Sequence, residues 1–404
     1  MTAARKPGVL QGIMLLLPMT MSVMGVTVLT PIVPLLLAEF HDTPHYEYWV
    51  MGGVLTMPAI WVMLFSPVAG WMADRFGRRN LLVAAMIVYA FVGIAPAFLQ
   101  NLYAIVGSRI AVGICESIVM TVSTTLICDY YAGRDRERWL AGQTALASVS
   151  ALGIIYLGGQ LGAAYGWRGP FYLYIYSLPL ALAVFGTIWE PVRGAARAVA
   201  AAAAEDGIVE FPRNRVLGIC AITLLASISF YTVITKNGEA LYALGLTDAA
   251  AIGRLTMLAS IGVPLGTFAF WKLSRLDIGW LLFVDFALVG GGFVLMGRAT
   301  DTTSYAWGSF VNQIGCGLVL PTVLVWATRG LAYAIRGRVN GLWQASFAIG
   351  QFLSGMVITL LSKHLGGLLP TFAVMGNAIL GFAVTAAVAG ALWRTAHTAP
   401  MKLS

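Results

Sequence analysis

Runs of about twenty apolar residues, each closed by a short polar stretch, recur from one end of the chain to the other. A helix rises about 1.5 Å per residue, so roughly 20 such residues cross the ~30 Å hydrocarbon layer of a bilayer. The pattern predicts helical spans over residues 9–37, 49–69, 81–99, 102–127, 138–163, 168–189, 214–237, 250–271, 279–297, 303–328, 337–361 and 367–393. Twelve crossings put both chain ends on one side. The first run is too long for the core of a signal peptide and shows no small-residue cleavage site, so it counts as a retained span. The longest polar stretch, residues 190–215, follows the sixth run, and its Ala-rich part at 198–204 could form a short surface helix. Six runs lie before it and six after, the plan of two related halves. The expected fold class is an all-α polytopic membrane protein of twelve transmembrane helices in two six-helix pseudo-symmetric bundles. The N-terminal bundle is expected over 1–189, a linker over 190–215 and the C-terminal bundle over 216–404.

Charge sets the orientation. Arg75, Arg78 and Arg79, then Arg134, Arg136 and Arg138, the four Arg of the linker, Lys272 and Arg275, and Arg329, Arg336 and Arg338 all fall at one side of the predicted membrane. The opposite loops hold Glu39, Asp42, Glu47, Asp248 and Asp301 and few basic residues. Lys and Arg accumulate in cytoplasmic loops, so both termini and the linker are expected in the cytoplasm. The same distribution explains the net charge of +8 without nucleic acid as a partner. Only 10% of the 404 residues are charged, against about 25% in soluble domains, so the lipid bilayer is the expected solvent.

Composition offers little else for chemistry. Cys115, Cys128, Cys220 and Cys316 all lie in apolar runs without CxxC spacing, and the four histidines are scattered. They suggest neither a disulfide framework nor a metal site. No cofactor is expected.

The loop between the second and third runs reads GWMADRFGRR, residues 70–79. It resembles the signature G-x-x-x-D-R-x-G-R-R of the major facilitator superfamily, matching at Gly70, Asp74, Arg75, Gly77, Arg78 and Arg79 in the corresponding loop. Gly70 would let helices approach, Asp74 would sit at a positive helix N-terminus, and the arginines would pair with acids. Asp129, at the cytoplasmic end of the fourth run, stands where the resemblance implies the partner of Arg78. The resemblance implies the major facilitator fold and a latch that holds the cytoplasmic face shut in the outward-facing state. A basic loop that only sets topology is the competing reading.

In the fourth run, Arg109 and Gly113 resemble the R-x-x-x-G motif of drug:proton antiporters. An intramembrane arginine is costly and usually faces a cavity or a partner. Glu116 follows seven residues later, two turns along the same helix face, and could take up and release a proton. Arg109 and Glu116 are the candidates for proton coupling, and a static Arg–Glu bridge is the alternative. The stretch YLGGQLGAAYGWRGPFYLY at 156–174 is similar to the family's passage from fifth to sixth helix. Ile154 and Ile155 stand where the antiporter signature has Gly-Pro, and the first run has no acid, which argues against export of cationic drugs.

A weak echo between 133–143 and 335–344 accords with duplication, and RGRVNGLWQASFAIGQFLSG at 336–355 resembles the eleventh helix of drug-transporter-like members. Gly153, Gly158, Gly159 and Gly162, and Gly341, Gly350 and Gly355, suit close helix seams. Arg109, Tyr231, Lys236, Asn312, Gln313 and Gln344 are candidates to line a substrate cavity, with Gln160 and Gln351 as further uncharged polar groups. Lys236 and Glu239 are three apart, and a snorkelling pair near the outer interface is as good a reading. Asp285 is an unplaced charge, with Arg275 or a cytoplasmic cavity as its partner.

No Walker-type G-x-x-x-x-G-K-[ST] is present, and no cluster of catalytic residues marks an enzyme. The expected activity is proton-coupled secondary transport of a small organic solute by alternating access, by a monomer, with protons as the second partner. An anionic or carboxylated solute would suit Arg109. Multidrug efflux by proton antiport, or a transporter-like sensor, are the alternatives.

Overall fold

The computed structural model describes residues 7–191, 213–274, 276–328 and 333–398. Every regular element among them is helical. The first crossing is broken into α1 (Val9–Leu16), α2 (Met19–Thr27) and α3 (Val33–Glu39). Pro18 and Pro31 stand at the breaks, where a residue without an N–H interrupts the ladder. The second crossing enters through a π-helix, Trp49–Thr56, and continues as α4 (Met57–Phe76). Pro58 at the start of α4 cannot donate, so the ladder changes phase there.

The chain then runs through α5 (Arg78–Ile94), α6 (Leu102–Tyr130), α7 (Gly133–Tyr165), a 3₁₀ stretch Gly166–Tyr176 and α8 (Ser177–Thr187). After the linker come α9 (Arg213–Ala243), α10 (Ala249–Ser260), α11 (Gly262–Leu273), α12 (Ile278–Gly297), α13 (Thr302–Thr328), α14 (Tyr333–His364) and α15 (Leu368–Thr398). Side-chain caps fix several of the starts, Asp301 at α13 among them. Asn101 accepts from the Tyr103 and Ala104 N–H groups, and Asp248 from those of Ala250 and Ala251.

Eleven helical segments among the described residues are long and apolar enough to cross a membrane. One of them, Gly133–Thr187, has 55 residues, and two passes of about 20 fit within it. Gly166, at φ 65°, turns the chain in its middle.

The buried apolar side chains form two clusters, one of residues 15–188 with Ala249, the other of residues 216–383. The clusters touch at the end of the molecule away from the start of α1. There Gly159 of α7 meets the Gly253 Cα of α10, and Gly238 of α9 packs on the Thr30 carbonyl. Gly355 of α14 lies against Met51, and the Thr56 hydroxyl donates to the Phe352 carbonyl at 3.0 Å. Lys363 Nζ pairs with Glu47 Oε2 across the same seam at 2.6 Å. Of the glycines expected at seams, Gly158, Gly159, Gly162, Gly350 and Gly355 are in close contacts, while Gly153 and Gly341 have open space where a side chain would go.

Candidate functional site

The geometry begins with α6. Arg109 and Glu116 are seven residues apart, so their side chains leave one face of the helix about 10 Å apart along its axis. Both are buried, Arg109 at 0% and Glu116 at 3% exposure. They form no ion pair with each other among the described contacts, so a static Arg–Glu bridge is not the arrangement. Arg109 Nη1 donates to the Tyr174 hydroxyl oxygen at 2.7 Å. Its guanidinium carbon lies 5.4 Å from the Phe171 ring centre and 4.9 Å from that of Tyr174. Aromatic faces thus take up the charge that the apolar surroundings would otherwise penalise. Nε and Nη2 have no hydrogen-bond partner among the described residues.

Glu116 points at α2. A side chain on Gly25 would come within 2.6 Å of Glu116 Oε1, so the carboxyl group occupies the space that glycine leaves open and would have to shift to admit a larger residue. Oε1 has no hydrogen-bond partner among the described residues. Tyr89 of α5 faces Glu116 and stacks obliquely on Tyr174, with ring centres 5.1 Å apart. Its hydroxyl donates to the Met21 carbonyl at 2.8 Å. Arg109 and Glu116 are therefore separated by two tyrosines drawn from other elements. Neither tyrosine was among the sequence candidates, because nothing local to α6 points to them.

From the second half of the chain, Tyr231 of α9 lies within electrostatic range of Glu116. It belongs to an aromatic group with Phe230 (5.0 Å between ring centres), Phe347 (5.6 Å) and, through Phe347, Trp343 (5.9 Å). The Trp343 Nε1–H is buried and has no acceptor among the described residues. Such a wall suits a flat or aromatic solute carrying one acceptor.

The remaining cavity candidates scatter. Asn312 is fully buried and ties α13 to α12, donating to the Val289 carbonyl at 2.9 Å and accepting from Cys316. Gln313 is buried with Oε1 unpartnered, its Cβ against Gly262 of α11. Gln344 is exposed. Lys236 does not snorkel. It is 1% exposed and pairs with Glu239 at 2.6 Å, because α9 runs beyond it and Gly238 is pressed on Thr30. Asp285, eighth of the twenty residues of α12, is fully buried; Arg275 lies outside the described residues.

At the loop 70–79, Arg78 forms an ion pair with Asp129 and a second with Asp74 at 3.2 Å. Two expectations change here. Gly70 makes no close contact, since a side chain there would meet nothing within 4 Å. The acid at a helix N-terminus is Glu190 rather than Asp74, whose side chain is 73% exposed. Glu190 accepts from the backbone N–H groups of Arg78 (2.7 Å) and Arg79 (2.9 Å), the first residues of α5. Gly77, at φ 93°, turns the chain so that both N–H groups face it. Arg79 lies over the Phe185 ring at 4.1 Å, and Arg75 near Trp71 at 5.9 Å.

Comparison with known proteins gives the same outline. The sequence model of the Major Facilitator Superfamily matches residues 15–355. A protein named for multidrug resistance, MdtD of Pectobacterium carotovorum subsp. carotovorum (strain PC1), is 23% identical, covering 89% of this chain and 80% of its own. Its namesake in Pectobacterium atrosepticum is matched over 59% of its own length, at 25% identity and 68% of this chain. The class B tetracycline resistance protein of Escherichia coli is 24% identical over 88% of this chain and 85% of its own. Among solved structures, a bacterial homologue of the lysosomal transporter Spinster, inward-facing and unoccupied, superposes with a TM-score of 0.73 at 17% identity, covering 94% of each chain. A D-xylose–proton symporter gives 0.74 at 16% identity, covering 93% of this chain and 96% of its own.

Proposed function

We propose, for a chain that belongs to the Major Facilitator Superfamily and is one of its membrane transporters, that it couples the movement of a small organic solute to protons through Glu116. The observation behind this reading is the buried carboxyl group of Glu116, which among the described residues has an unpartnered oxygen and no cation within ion-pair distance. Burying an unpaired carboxylate is costly. The group therefore carries a proton while enclosed and releases it when water reaches it. Arg109, held by Tyr174 and Phe171, keeps a fixed positive charge on the same face and biases that exchange.

The proposal counts Gly133–Thr187 as two crossings, which makes twelve in all, with bundles at 1–189 and 216–404 and both termini in the cytoplasm of the inner membrane. The closed seam at Glu47–Lys363 and Gly159–Gly253 is then the outer face, and the conformation is inward-facing. Export is the direction supported by the relatives named for multidrug and tetracycline resistance. The solute sits between Glu116 and the Tyr231–Phe347–Trp343 wall.

A second reading, a carboxylated solute, is favoured by the two unpartnered N–H groups of Arg109. A pH-sensitive dye inside proteoliposomes separates the two. A lipophilic dye cation, tetracycline and 4-hydroxybenzoate are each added as a gradient, without an imposed proton gradient. Proton movement against the flow of one of them, lost in Glu116→Gln, supports antiport. Solute flux with no proton movement refutes the coupling.

A further inference from the structure

Outside the Arg109–Glu116 site, one ionisable side chain is fully enclosed with both of its oxygens unpartnered. Asp285 of α12 is 0% exposed, and neither Oδ1 nor Oδ2 has a hydrogen-bond partner among the described residues. Thr322 of α13 faces it, yet the Thr322 hydroxyl donates to the Leu318 carbonyl at 2.8 Å. A carboxylate left so would bear the full cost of lost hydration, which a group kept for packing alone would not need to carry.

Beside it lies a cleft of about 260 Å³, at the end of the molecule where α11 passes to α12. Ser274, Trp280, Leu281, Thr322, Trp326 and Ala387 line it. Leu281 is one helical turn before Asp285 on the same face of α12, and Thr322 borders the cleft on one side and Asp285 on the other. The buried carboxyl group thus sits one turn beyond the cleft floor. The cleft has room for several waters, and its Ser274 and Asp277 side chains offer polar partners.

The other charged and titratable groups are few. From α13, Cys316 and Thr322 face Asp285. The described side chains of α15 include no ionisable group. At the cleft mouth are Asp277 of α12 and Arg215 of α9, the latter donating to the Trp326 carbonyl at 2.8 Å. Among the described residues no cation pairs with Asp285, and a proton is the positive charge that would neutralise it.

We infer that Asp285 is a second proton-binding site, separate from Glu116 and in the other bundle, loaded through this cleft. A hydronium ion in the cleft transfers its proton to an Asp285 oxygen and leaves as water, and the reverse step occurs when the cleft is at higher pH. The inference does not need Glu116 to be a coupling group, and the experiment reads the two separately.

Dicyclohexylcarbodiimide adds to a protonated carboxyl group in apolar surroundings and rearranges to a stable N-acylurea, located by peptide mass spectrometry. The full chain is labelled in sealed membrane vesicles whose two sides are clamped independently between about pH 5 and about pH 9, a range that spans buried carboxyl groups. Labelling of Asp285 should fall about ten-fold as the pH of the cleft side rises, and should ignore the opposite side. Ala387→Trp, which plugs the cleft without touching Asp285, should slow Asp285 labelling about ten-fold and leave Glu116 labelling unchanged. The inference is overturned if Asp285 labels equally at every pH, follows the opposite side, or labels at the normal rate in Ala387→Trp. Adduct at Glu116 on its separate peptide, with none at Asp285 even at the acid limit, overturns it while leaving the reading of Glu116 in place.

Discussion

Glu116 and Arg109 lie buried on one face of α6 without touching, and that separation organises the chemistry around them. Each aromatic contact to Arg109 is worth about 0.5–2 kcal/mol when desolvated. The bond to the Tyr174 hydroxyl, made by a charged donor, adds about 1.5–3 kcal/mol, whereas the neutral Tyr89–Met21 bond is worth about 0.5–1.5 kcal/mol. Tyr174→Phe should therefore lower the thermal unfolding midpoint of the detergent-solubilised protein about twice as far as Tyr89→Phe. Equal losses would mean that Arg109 does not depend on Tyr174. The spacing of Arg109 and Glu116 was legible in the sequence because both lie on one helix. Tyr89 and Tyr174 were not, since they reach the site from α5 and from the 3₁₀ stretch Gly166–Tyr176, and no local periodicity ties them to α6. Lys236 misled for a related reason. Its position near the end of an apolar run suggested an interface, but α9 continues to Ala243 and carries it into the seam.

Among the elements, α5 shows how far apart the parts of one helix end can be in the chain. Its first two N–H groups are satisfied by Glu190, more than a hundred residues later. Hydropathy located both helices, but it has no means of linking a loop glycine to an acid at the far end of α8. Loss of such a cap costs about 0.5–2 kcal/mol, so Glu190→Ala should destabilise the protein by that amount in thermal unfolding. Glu190→Gln, which keeps an acceptor and loses the charge, should fall between. An unchanged midpoint in Glu190→Ala would show that α5 does not rely on this cap. The Arg78–Asp74 and Arg78–Asp129 pairs lie within the first cluster, so their effect on transport must run through the position of α4 and α6. Both pairs are formed while the seam at Glu47–Lys363 is closed, so they do not by themselves hold the cytoplasmic face shut, and as a latch they bias the two states rather than the solute site. Asp74→Asn and Arg78→Ala should then impair transport more than solute binding, and normal transport in both would end the latch proposal. Helix boundaries were the least legible feature, as in the break of the first crossing at Pro18 and Pro31 and the turn at Gly166 inside one apolar segment.

Over the whole molecule, two clusters meet at one end, with the Glu47–Lys363 pair crossing the seam. The sequence showed the halves through the polar stretch at 190–215, but which end is closed depends on contacts between residues hundreds of positions apart. The pair is partly exposed, with side chains 31% and 49% accessible, and is worth about 0.2–1 kcal/mol. Lys363→Gln should shift the population by up to about five-fold away from the closed seam. Spin labels on cysteines replacing His41 and Asp301, one in each half at that end, should report a matching gain in the longer distance. An unchanged distribution would remove this pair from the gate. The same two positions should react with an impermeant thiol reagent from the outside of intact cells; reaction only from the cytoplasm would invert the topology.

The central claim, that Glu116 exchanges the coupling proton, is tested most directly in proteoliposomes with an imposed pH gradient. Glu116→Gln mimics the protonated form and cannot cycle. It should abolish accumulation of solute against its gradient while solute exchange across the membrane persists. Arg109→Ala should damage both. A Glu116→Gln protein that still concentrates solute against its gradient would contradict the account and leave Glu116 a structural residue.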